Sequence, residues 1–144
     1  MSDVGAVLAT KGSDVVTIGR DATLRQVAEE LARWRIGALV VLDADEAVAG
    51  IVSERDLVQC LAAHGSEALL REVESAMTAE VITATRDLPV LTALALMTKR
   101  RVRHLPVTNN GRLAGIVSIG DLVKYRMERI EAEAEAMRSY IQNA

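Results

Sequence analysis

The sequence predicts an α+β fold in which two β-α-β-β-α repeats carry small mixed sheets that pack together in pseudo-two-fold symmetry. Two similar halves are visible in the chain, and each half reads as short apolar strands around amphipathic helices. With 144 residues, half of them hydrophobic, the chain has room for about one compact domain. Because a single half is too small to bury a stable core, the domain has to be built from both copies.

Two aligned pairs of segments define the repeat. Residues 15–21 (VVTIGRD) resemble residues 81–87 (VITATRD), and residues 49–58 (AGIVSERDLV) resemble residues 114–123 (AGIVSIGDLV). The second copy is one residue shorter, and the lost residue falls in a loop of Asp, Asn and Gly that is typical of a turn. The chain is thereby divided into a first repeat at 7–65, a linker helix at 66–76, a second repeat at 77–126 and a C-terminal helical extension at 127–144.

Each repeat is predicted to open with a β-branched strand, at 15–18 or 81–84, followed by a helix. The helices begin after Thr23 and Pro89, and a proline at the first turn loses nothing by lacking its N–H. Apolar residues then follow at intervals of three and four, which is helical spacing.

Two further apolar runs in each repeat predict a β-hairpin, and a final helix begins near Glu54 or Ile119. The runs are 38–42 with 48–52 in the first repeat and 104–108 with 113–117 in the second. A strand-helix-strand crossover makes the first two strands parallel, and the hairpin adds an antiparallel partner. A small mixed sheet follows for each repeat.

Helical spacing continues outside the repeats. Leu69, Leu70, Val73 and Ala76 predict that the linker is itself a helix. The last helix runs on towards Tyr140, with apolar residues three or four positions apart and charges between them. This apolar face either covers its own domain or forms a contact in a dimer, and the sequence leaves both open. Its members are Val123, Met127, Ile130, Ala134, Met137 and Ile141.

Composition excludes several classes of function. Only 2% of the residues are aromatic, namely Trp34, Tyr125 and Tyr140, which argues against proteins that stack bases or cage quaternary ammonium groups on aromatic rings. The net charge of −3, without a long basic block, disfavours nucleic acid. Cys60 is the single cysteine, so an intramolecular disulfide framework is excluded.

No membrane association and a cytoplasmic location are expected. The densest apolar stretch, Ile36 to Leu42, is far shorter than the roughly 20 residues that cross a bilayer. The first ten residues also lack the basic-then-apolar order of a secretory signal.

Three stretches together resemble a known family. They are residues 101–107 (RVRHLPV), 115–121 (GIVSIGD) and 50–56 (GIVSERD). The chain resembles a tandem pair of cystathionine-β-synthase (CBS) domains, or Bateman module, from about residue 7 to residue 126. The resemblance implies a non-catalytic regulatory sensor that binds adenosine-containing ligands such as AMP, ADP or ATP in clefts between the repeats. S-adenosylmethionine or NAD is also compatible with it, and it implies a homodimer that forms a four-repeat disc and acts on an unknown client protein.

Asp56 and Asp121 are the first candidates for binding the ribose, which is the role that the resemblance implies for them. Each follows a third strand and, with Ser53 or Ser118, stands at a helix N-terminus, where polar ligands often bind. A carboxylate can accept hydrogen bonds from both ribose hydroxyls. Ser-x-x-Asp is equally typical of a capping box, and one residue pair can serve both roles.

The adenine is expected against aliphatic side chains and backbone. By correspondence with the family, the wall falls at Val16, Ile36, Gly37 and Ile51 in the first repeat and at Ile82, Val102, Arg103 and Ile116 in the second. Each apolar member is also explained simply as part of the core.

Phosphate groups need cations or free amides. In the second repeat Arg103 and His104 precede the middle strand, and Gly120 lets a phosphate approach the backbone. In the first repeat Gly37 replaces the arginine, and Arg55 is the best candidate cation. Because the copies differ in this way, we expect one site to be occupied preferentially.

No catalytic residue and no metal site is predicted, so the chain is expected not to be an enzyme. Cys60 and His64 share a helix face, but no acid at matching spacing orients His64 and too few further ligands are available for a metal. His104 is the one candidate general base for chemistry on a nucleotide. The main alternative to a nucleotide sensor is a ligand-independent module for dimerisation or protein interaction.

Overall fold

The structure is a computed structural model that describes residues 2–143. It has five α-helices and five strands in this range. In chain order they are α1 (Val4–Lys11), β1 (Thr17–Gly19), α2 (Leu24–Trp34), β2 (Ala38–Leu42), β3 (Val48–Ser53), α3 (Glu54–His64), α4 (Val90–Arg100), β4 (His104–Asn109), β5 (Arg112–Ser118) and α5 (Ile119–Gln142). The predicted α+β fold with two small sheets is confirmed.

The first repeat follows the predicted topology closely. β1 pairs with β2 in parallel, β2 pairs with β3 antiparallel, and the strand order is β1-β2-β3. The two helices that flank the hairpin both begin with capping boxes, formed by Thr23 with Gln26 and by Ser53 with Asp56. The capping interpretation of Ser53 and Asp56 is therefore confirmed.

The strand predicted at 81–84 was wrong, because only one residue of it pairs. Ala84 forms a single parallel bridge with Val107, donating to the carbonyl of Pro106 and accepting from the N–H of Thr108. Continuing the ladder towards Ile82 would require an N–H from Pro106, which has none. In the first repeat Val40 occupies the equivalent position, and there the strand forms.

The linker was predicted as one helix over 66–76, but it forms two short 3-10 helices, Gly65–Leu70 and Val73–Ser75. Its backbone is engaged elsewhere. The N–H of Val73 donates to the carbonyl of Ala22 at 2.7 Å, and the carbonyl of Arg71 accepts from the N–H of Leu24 at 2.9 Å. These bonds tie the linker to the start of α2 and prevent a continuous i to i+4 ladder.

Helix α1 was not predicted, although the sequence carries its signals. Asp3 caps it by accepting from the N–H of Ala6 at 2.8 Å, and Gly12 follows its last residue. Its apolar residues Val4, Val7 and Leu8 are all buried. They pack into the core of the second repeat, together with Leu105, Val107, Val117 and Leu122.

Each repeat is completed by the segment that leads into the other repeat. α1 leads into the first strand of the first repeat and packs on the core of the second, while Val73 and Met77 lie where the linker enters the second repeat and pack on the core of the first. The glycine of each AGIVS motif makes room for this exchange. A Cβ at Gly50 would lie 2.6 Å from Sδ of Met77, and one at Gly115 would lie 2.8 Å from Cδ2 of Leu8.

The C-terminal extension is helical, as predicted, through Gln142; Ala144, its last predicted residue, lies outside the described residues. Only the first turns of α5 pack on the domain, through Ile119, Leu122 and Tyr125. From Met127 onwards every described residue of the helix is exposed, so its apolar face does not cover its own domain. Within residues 2–143, none of the helices combines the length and hydrophobicity needed to span a membrane.

Candidate ligand-binding cleft

A cavity of about 390 Å³ lies at the junction of the two repeats. The first repeat contributes the end of β3 and the start of α3, and the second contributes the segments before α4 and before β4. Its lining residues are Gly37, Ile51, Ser53, Glu54, Arg55, Asp56, Thr78, Glu80, Val81, Ile82, Arg101, Val102, Arg103 and His104.

The carboxylate of Asp56 lines this cavity with only one of its two oxygens hydrogen-bonded to a described residue. Its Oδ2 accepts from the Ser53 N–H at 2.9 Å and from the Ser53 hydroxyl at 3.0 Å. Oδ1 has no hydrogen-bond partner within residues 2–143. The capping box therefore fixes the carboxylate while leaving one oxygen available to hydroxyl donors in the cavity.

Thr78 brings the second repeat to the cavity wall. It exchanges two backbone hydrogen bonds with Ile51, at 3.0 and 2.9 Å, and so adds a short stretch to the edge of β3. The chain then continues through Glu80 and Val81 to Ile82, which is half-buried against the second core. Aliphatic side chains from both repeats therefore face the same space.

Three arginines surround the cavity: Arg55 from the first repeat and Arg101 and Arg103 from the second. In the part of the chain that the structure describes, none of them forms an ion pair. Arg101 ends α4 in the left-handed conformation, with φ of 55°, just as Arg35 ends α2 with φ of 53°. Unpaired guanidinium groups at a cavity rim are suited to bidentate binding of phosphate.

His104 lies half-buried where the repeats meet, near Gly37. Burial lowers its pKa from the ordinary value, with the positive charges of Lys11 and Arg103 acting in the same direction and Asp121 opposing them. The ring is therefore neutral at pH 7 and offers one donor and one acceptor. Across residues 2–143, no three His, Cys, Asp or Glu side chains converge in a way that would hold a metal ion.

Asp121, the counterpart of Asp56, has a different partner. Its Oδ2 accepts from Lys11 Nζ at 2.6 Å and from the Ser118 N–H at 2.8 Å, and Lys11 also donates to the Ile116 carbonyl at 2.9 Å. Partial burial alone would raise the Asp121 pKa, but the hydrogen bonds from Lys11 and Ser118 outweigh it and lower the pKa. The ammonium group thus covers the carboxylate proposed to hold a ribose.

The cavity brings together some of the predicted site residues and leaves others elsewhere. A separate adenine wall is predicted in each repeat, whereas the walls of this cavity come from both repeats. The predicted residues that line it are Gly37, Ile51, Ser53, Arg55, Asp56, Ile82, Val102, Arg103 and His104. Those that do not are Val16, Ile36, Ile116, Ser118, Gly120 and Asp121.

The predicted site residues that do not line the cavity lie elsewhere in the fold. Val16 and Ile36 pack against the core of the first repeat. Ser118 and Asp121 form the capping box of α5, and Gly120 is exposed in its first turn. Ile116 is half-buried, with its carbonyl bound to Lys11.

Sequence reasoning misses several lining residues. Arg101 is assigned to no site, although it belongs to the 101–107 stretch that carries the family resemblance, and Thr78, Glu80 and Val81 are assigned to none either. Glu54 is noticed only as a helix start. Gly50 carries a usable signal, because a glycine inside a strand indicates close approach of another backbone, and here that backbone is Thr78.

Comparison with known proteins agrees with this architecture. A family model for the CBS domain matches the chain twice, at residues 4–63 and 70–128. A mitochondrial CBS domain-containing protein of Arabidopsis thaliana is 36% identical over 126 residues, which cover 85% of this chain and 61% of that protein. The chain therefore spans less than two thirds of this relative.

Solved structures give the same result. The CBS-domain containing protein ATU1752 from Agrobacterium tumefaciens superposes with a TM-score of 0.84 at 46% identity, covering 87% of this chain and 93% of that one. The CBS domain pair of protein MJ0100, crystallised with 5'-methylthioadenosine and S-adenosyl-L-methionine, superposes with a TM-score of 0.79 at 25% identity, covering 90% and 98%. With two matched repeats and this shared fold, the chain belongs to the CBS domain family as a tandem pair.

Proposed function

We propose that the chain is a non-catalytic regulatory module that binds one adenosine-containing ligand, AMP or ATP, in the cleft between its repeats. One observation carries the proposal. The Asp56 carboxylate, with one oxygen free of hydrogen bonds, shares a cavity with three arginines from both repeats that form no ion pair within residues 2–143. The ribose hydroxyls and the phosphate of one nucleotide need these two kinds of group within a single small pocket.

The dimensions and walls of the cavity support a nucleoside. A volume of about 390 Å³ lies within the usual range of small-molecule sites, and Ile51, Ile82 and Val102 provide aliphatic contact for a base. The chain holds few aromatic residues and none of them lines the cavity. The base is therefore held by apolar packing and backbone groups rather than by ring stacking.

The charges favour a phosphate-bearing ligand. Arg55, Arg101 and Arg103 would oppose the cationic sulfonium of S-adenosylmethionine, whereas they neutralise the phosphates of AMP or ATP. Methylthioadenosine and S-adenosylmethionine, the ligands crystallised with MJ0100, support adenosine recognition in a similar fold. NAD also carries an adenosine and phosphates, and it stays a candidate on the same chemistry.

Regulation follows from where the ligand lies. The ligand would contact residues of both repeats at once, so binding favours one relative arrangement of the repeats over others. A ligand shifts such an equilibrium only by its difference in affinity for the two arrangements. Changed contacts with a partner copy, in the four-repeat disc that the resemblance implies, or with a client protein would then report ligand concentration.

The decisive experiment is titration calorimetry with AMP, ATP, adenosine, NAD and S-adenosylmethionine on the wild-type chain, Asp56→Asn and Asp121→Asn. Both variants remove a carboxylate from an equivalent capping box, and Asp121→Asn also removes the ion pair with Lys11, so unfolding is measured alongside binding for each variant. We expect Asp56→Asn to weaken AMP binding by about tenfold or more, the scale of one charge-assisted hydrogen bond, and Asp121→Asn to change it less than about twofold. Equal weakening by both variants, or no binding of any ligand at millimolar concentration, would refute the proposal.

Arg103→Met tests the phosphate end separately. Methionine keeps much of the side-chain volume and removes the charge. It should weaken ATP and AMP while leaving adenosine affinity nearly unchanged. If the wild-type chain instead binds S-adenosylmethionine more tightly than AMP, S-adenosylmethionine is favoured as the ligand.

The second candidate function is a ligand-independent interaction module, and the exposed apolar face of α5 favours it. Five of its large residues are between 42% and 65% exposed. This function predicts normal partner binding in Asp56→Asn and no response to nucleotides. A cytoplasmic location is proposed for either function.

A further inference from the structure

The apolar face of α5 forms a continuous seam. Its residues follow one another at intervals of four, three, four, three and four, which is a heptad pattern. Written as heptad positions, a is occupied by Met127, Ala134 and Ile141, and d by Val123, Ile130 and Met137. We call these six residues the α5 seam.

The α5 seam faces solvent along its length. Met127 is 56% exposed and Ile141 is 65% exposed, although both are large apolar side chains. At 1.5 Å per residue, the seam from Val123 to Ile141 is about 30 Å long. A helix with a seam of this length and little contact with its own domain is stabilised when a second helix covers it.

The charged residues that flank the α5 seam indicate which helix covers it. In a parallel two-stranded coiled coil, a g residue of one helix faces the e residue five positions later on the other. Here Arg126 would face Glu131 of a second copy, and Glu133 would face Arg138 of that copy. Both pairs join opposite charges, and the two-fold axis makes each of them occur twice. Arg138 contacts Glu135 of its own helix at 3.2 Å, but this exposed pair is weak and readily exchanged.

An antiparallel arrangement brings like charges together. With Met127 opposite Met137 of the other copy, Glu131 would face Glu131, Glu133 would face Glu133, and Lys124 would face Arg138. Each contact is repulsive, so the sequence disfavours this orientation.

From the seam and its charges we infer that α5 pairs with α5 of a second copy of this chain as a parallel coiled coil. The two copies then carry their C-terminal helices on the same side of the dimer. This surface lies outside the ligand cleft, and the inference does not depend on nucleotide binding.

Site-directed disulfide formation tests the inference on the full chain. In a Cys60→Ala background, Met127→Cys places equivalent thiols face to face across a parallel seam, within the Cα separation of about 7 Å that a disulfide tolerates. In an antiparallel pair the two thiols are ten residues apart along the axis, about 15 Å, which is too far. We expect Met127→Cys to give a covalent dimer on mild oxidation, and the matched control Ser139→Cys, on the opposite face of α5, to give none.

Two outcomes overturn the inference. A dimer that forms only when Met127→Cys is mixed with Met137→Cys shows an antiparallel seam. Absence of cross-linking at both Met127→Cys and Ile141→Cys shows that a second copy does not occupy the seam, as when the helix of another protein covers it. Ligand titration of the same preparations reports separately on the cleft.

A charge swap gives an independent readout in the same assay. Glu133→Arg would face Arg138 of the other copy and slow cross-linking at position 127, by about threefold to tenfold for two exposed pairs. Adding Arg138→Glu should restore the rate, because the pair is then reversed rather than lost. Glu128→Arg, which makes the same charge change outside the seam and its flanking positions, is the control. An unchanged rate in Glu133→Arg contradicts the parallel pairing, since only that orientation opposes residues 133 and 138.

Discussion

Lys11 Nζ lies 2.6 Å from Oδ2 of Asp121, so the N-terminal helix places a cation on the carboxylate that is equivalent to Asp56. The same ammonium also bonds to the carbonyl of Ile116. Asp56 instead has only its own capping serine as a partner within residues 2–143. The two repeats, similar in sequence, therefore present unlike surfaces to a ligand.

The first prediction concerns stoichiometry. Wild-type protein should bind one AMP per chain, because a ribose in the second position would have to displace Lys11. Lys11→Met, which keeps the apolar stem and removes the cation, should add a second, weaker binding event in titration calorimetry. Lys124→Met, an exposed lysine on α5, is the control and should leave one event. A second event in wild type, or none in Lys11→Met, contradicts the prediction.

The second prediction concerns acid stability. Hydrogen bonds from Lys11 and Ser118 lower the pKa of Asp121 below its unfolded value, so the stabilisation is complete above that value, about 3.9, and is lost as the pH falls through the folded pKa. Lys11→Met should therefore cost about 1 kcal/mol of unfolding free energy at pH 7, the pair being partly exposed, and much less near pH 3. Urea denaturation at both pH values measures it. An equal loss at the two pH values would show that the ion pair is not the cause.

The third prediction concerns His104. Burial lowers its pKa in the folded chain, so the unfolded chain takes up the proton first as the pH falls. Stability should therefore decline from about pH 6.5 downwards, and His104→Gln should flatten that decline. Thermal unfolding between pH 5 and pH 8 gives the comparison, and identical profiles for wild type and His104→Gln would contradict it.

The fourth prediction compares two equivalent glycines. A Cβ at Gly50 would meet Sδ of Met77 at 2.6 Å and the backbone oxygen of Thr78 at 2.8 Å, whereas the three atoms nearest to a Cβ at Gly115 all belong to the side chain of Leu8. Gly50→Ala should destabilise by about 1 to 3 kcal/mol, the usual cost of overpacking, and should also weaken AMP binding because Thr78 lines the cavity.

Gly115→Ala is the matched variant for this test. It should destabilise by a similar amount or less and displace α1, so AMP binding at the first cleft should be nearly unaffected. Stability comes from denaturant unfolding and binding from calorimetry. Loss of AMP binding in Gly115→Ala but not in Gly50→Ala would reverse the assignment of the cleft.

Local patterns made most of the fold predictable. The capping boxes at Ser53 and Ser118 and the hairpins of both repeats depend on residues close together in the chain, and these were confirmed. The failures at 81–84 and in the linker arose from longer-range bonding. Pro106 removes a donor needed by a segment more than twenty residues earlier, and Arg71 and Val73 bond to the start of α2 instead of to their own helix.

The candidate site was predictable only in part, for the same reason. The family resemblance pointed to Asp56, and residue type pointed to Arg103 and His104 as partners for a phosphate; the cavity brings these three together. That Asp56 faces the second repeat, and that Lys11 reaches Asp121, are consequences of how two distant segments pack. Nothing in the local sequence around Asp121 distinguishes it from Asp56 in this respect.

The exchange of α1 and of the segment around Val73 and Met77 between the two repeats affects how the chain folds and how a tandem repeat could arise. Neither half contains all the side chains of its own core, so the halves should unfold in one cooperative transition rather than as separate units. A single repeat together with the segment that precedes its first strand could complete its hydrophobic core only by exchanging that segment with a second molecule. Joining two such partners end to end would convert an intermolecular trade into an intramolecular one, and would leave each copy free to diverge at positions such as 11.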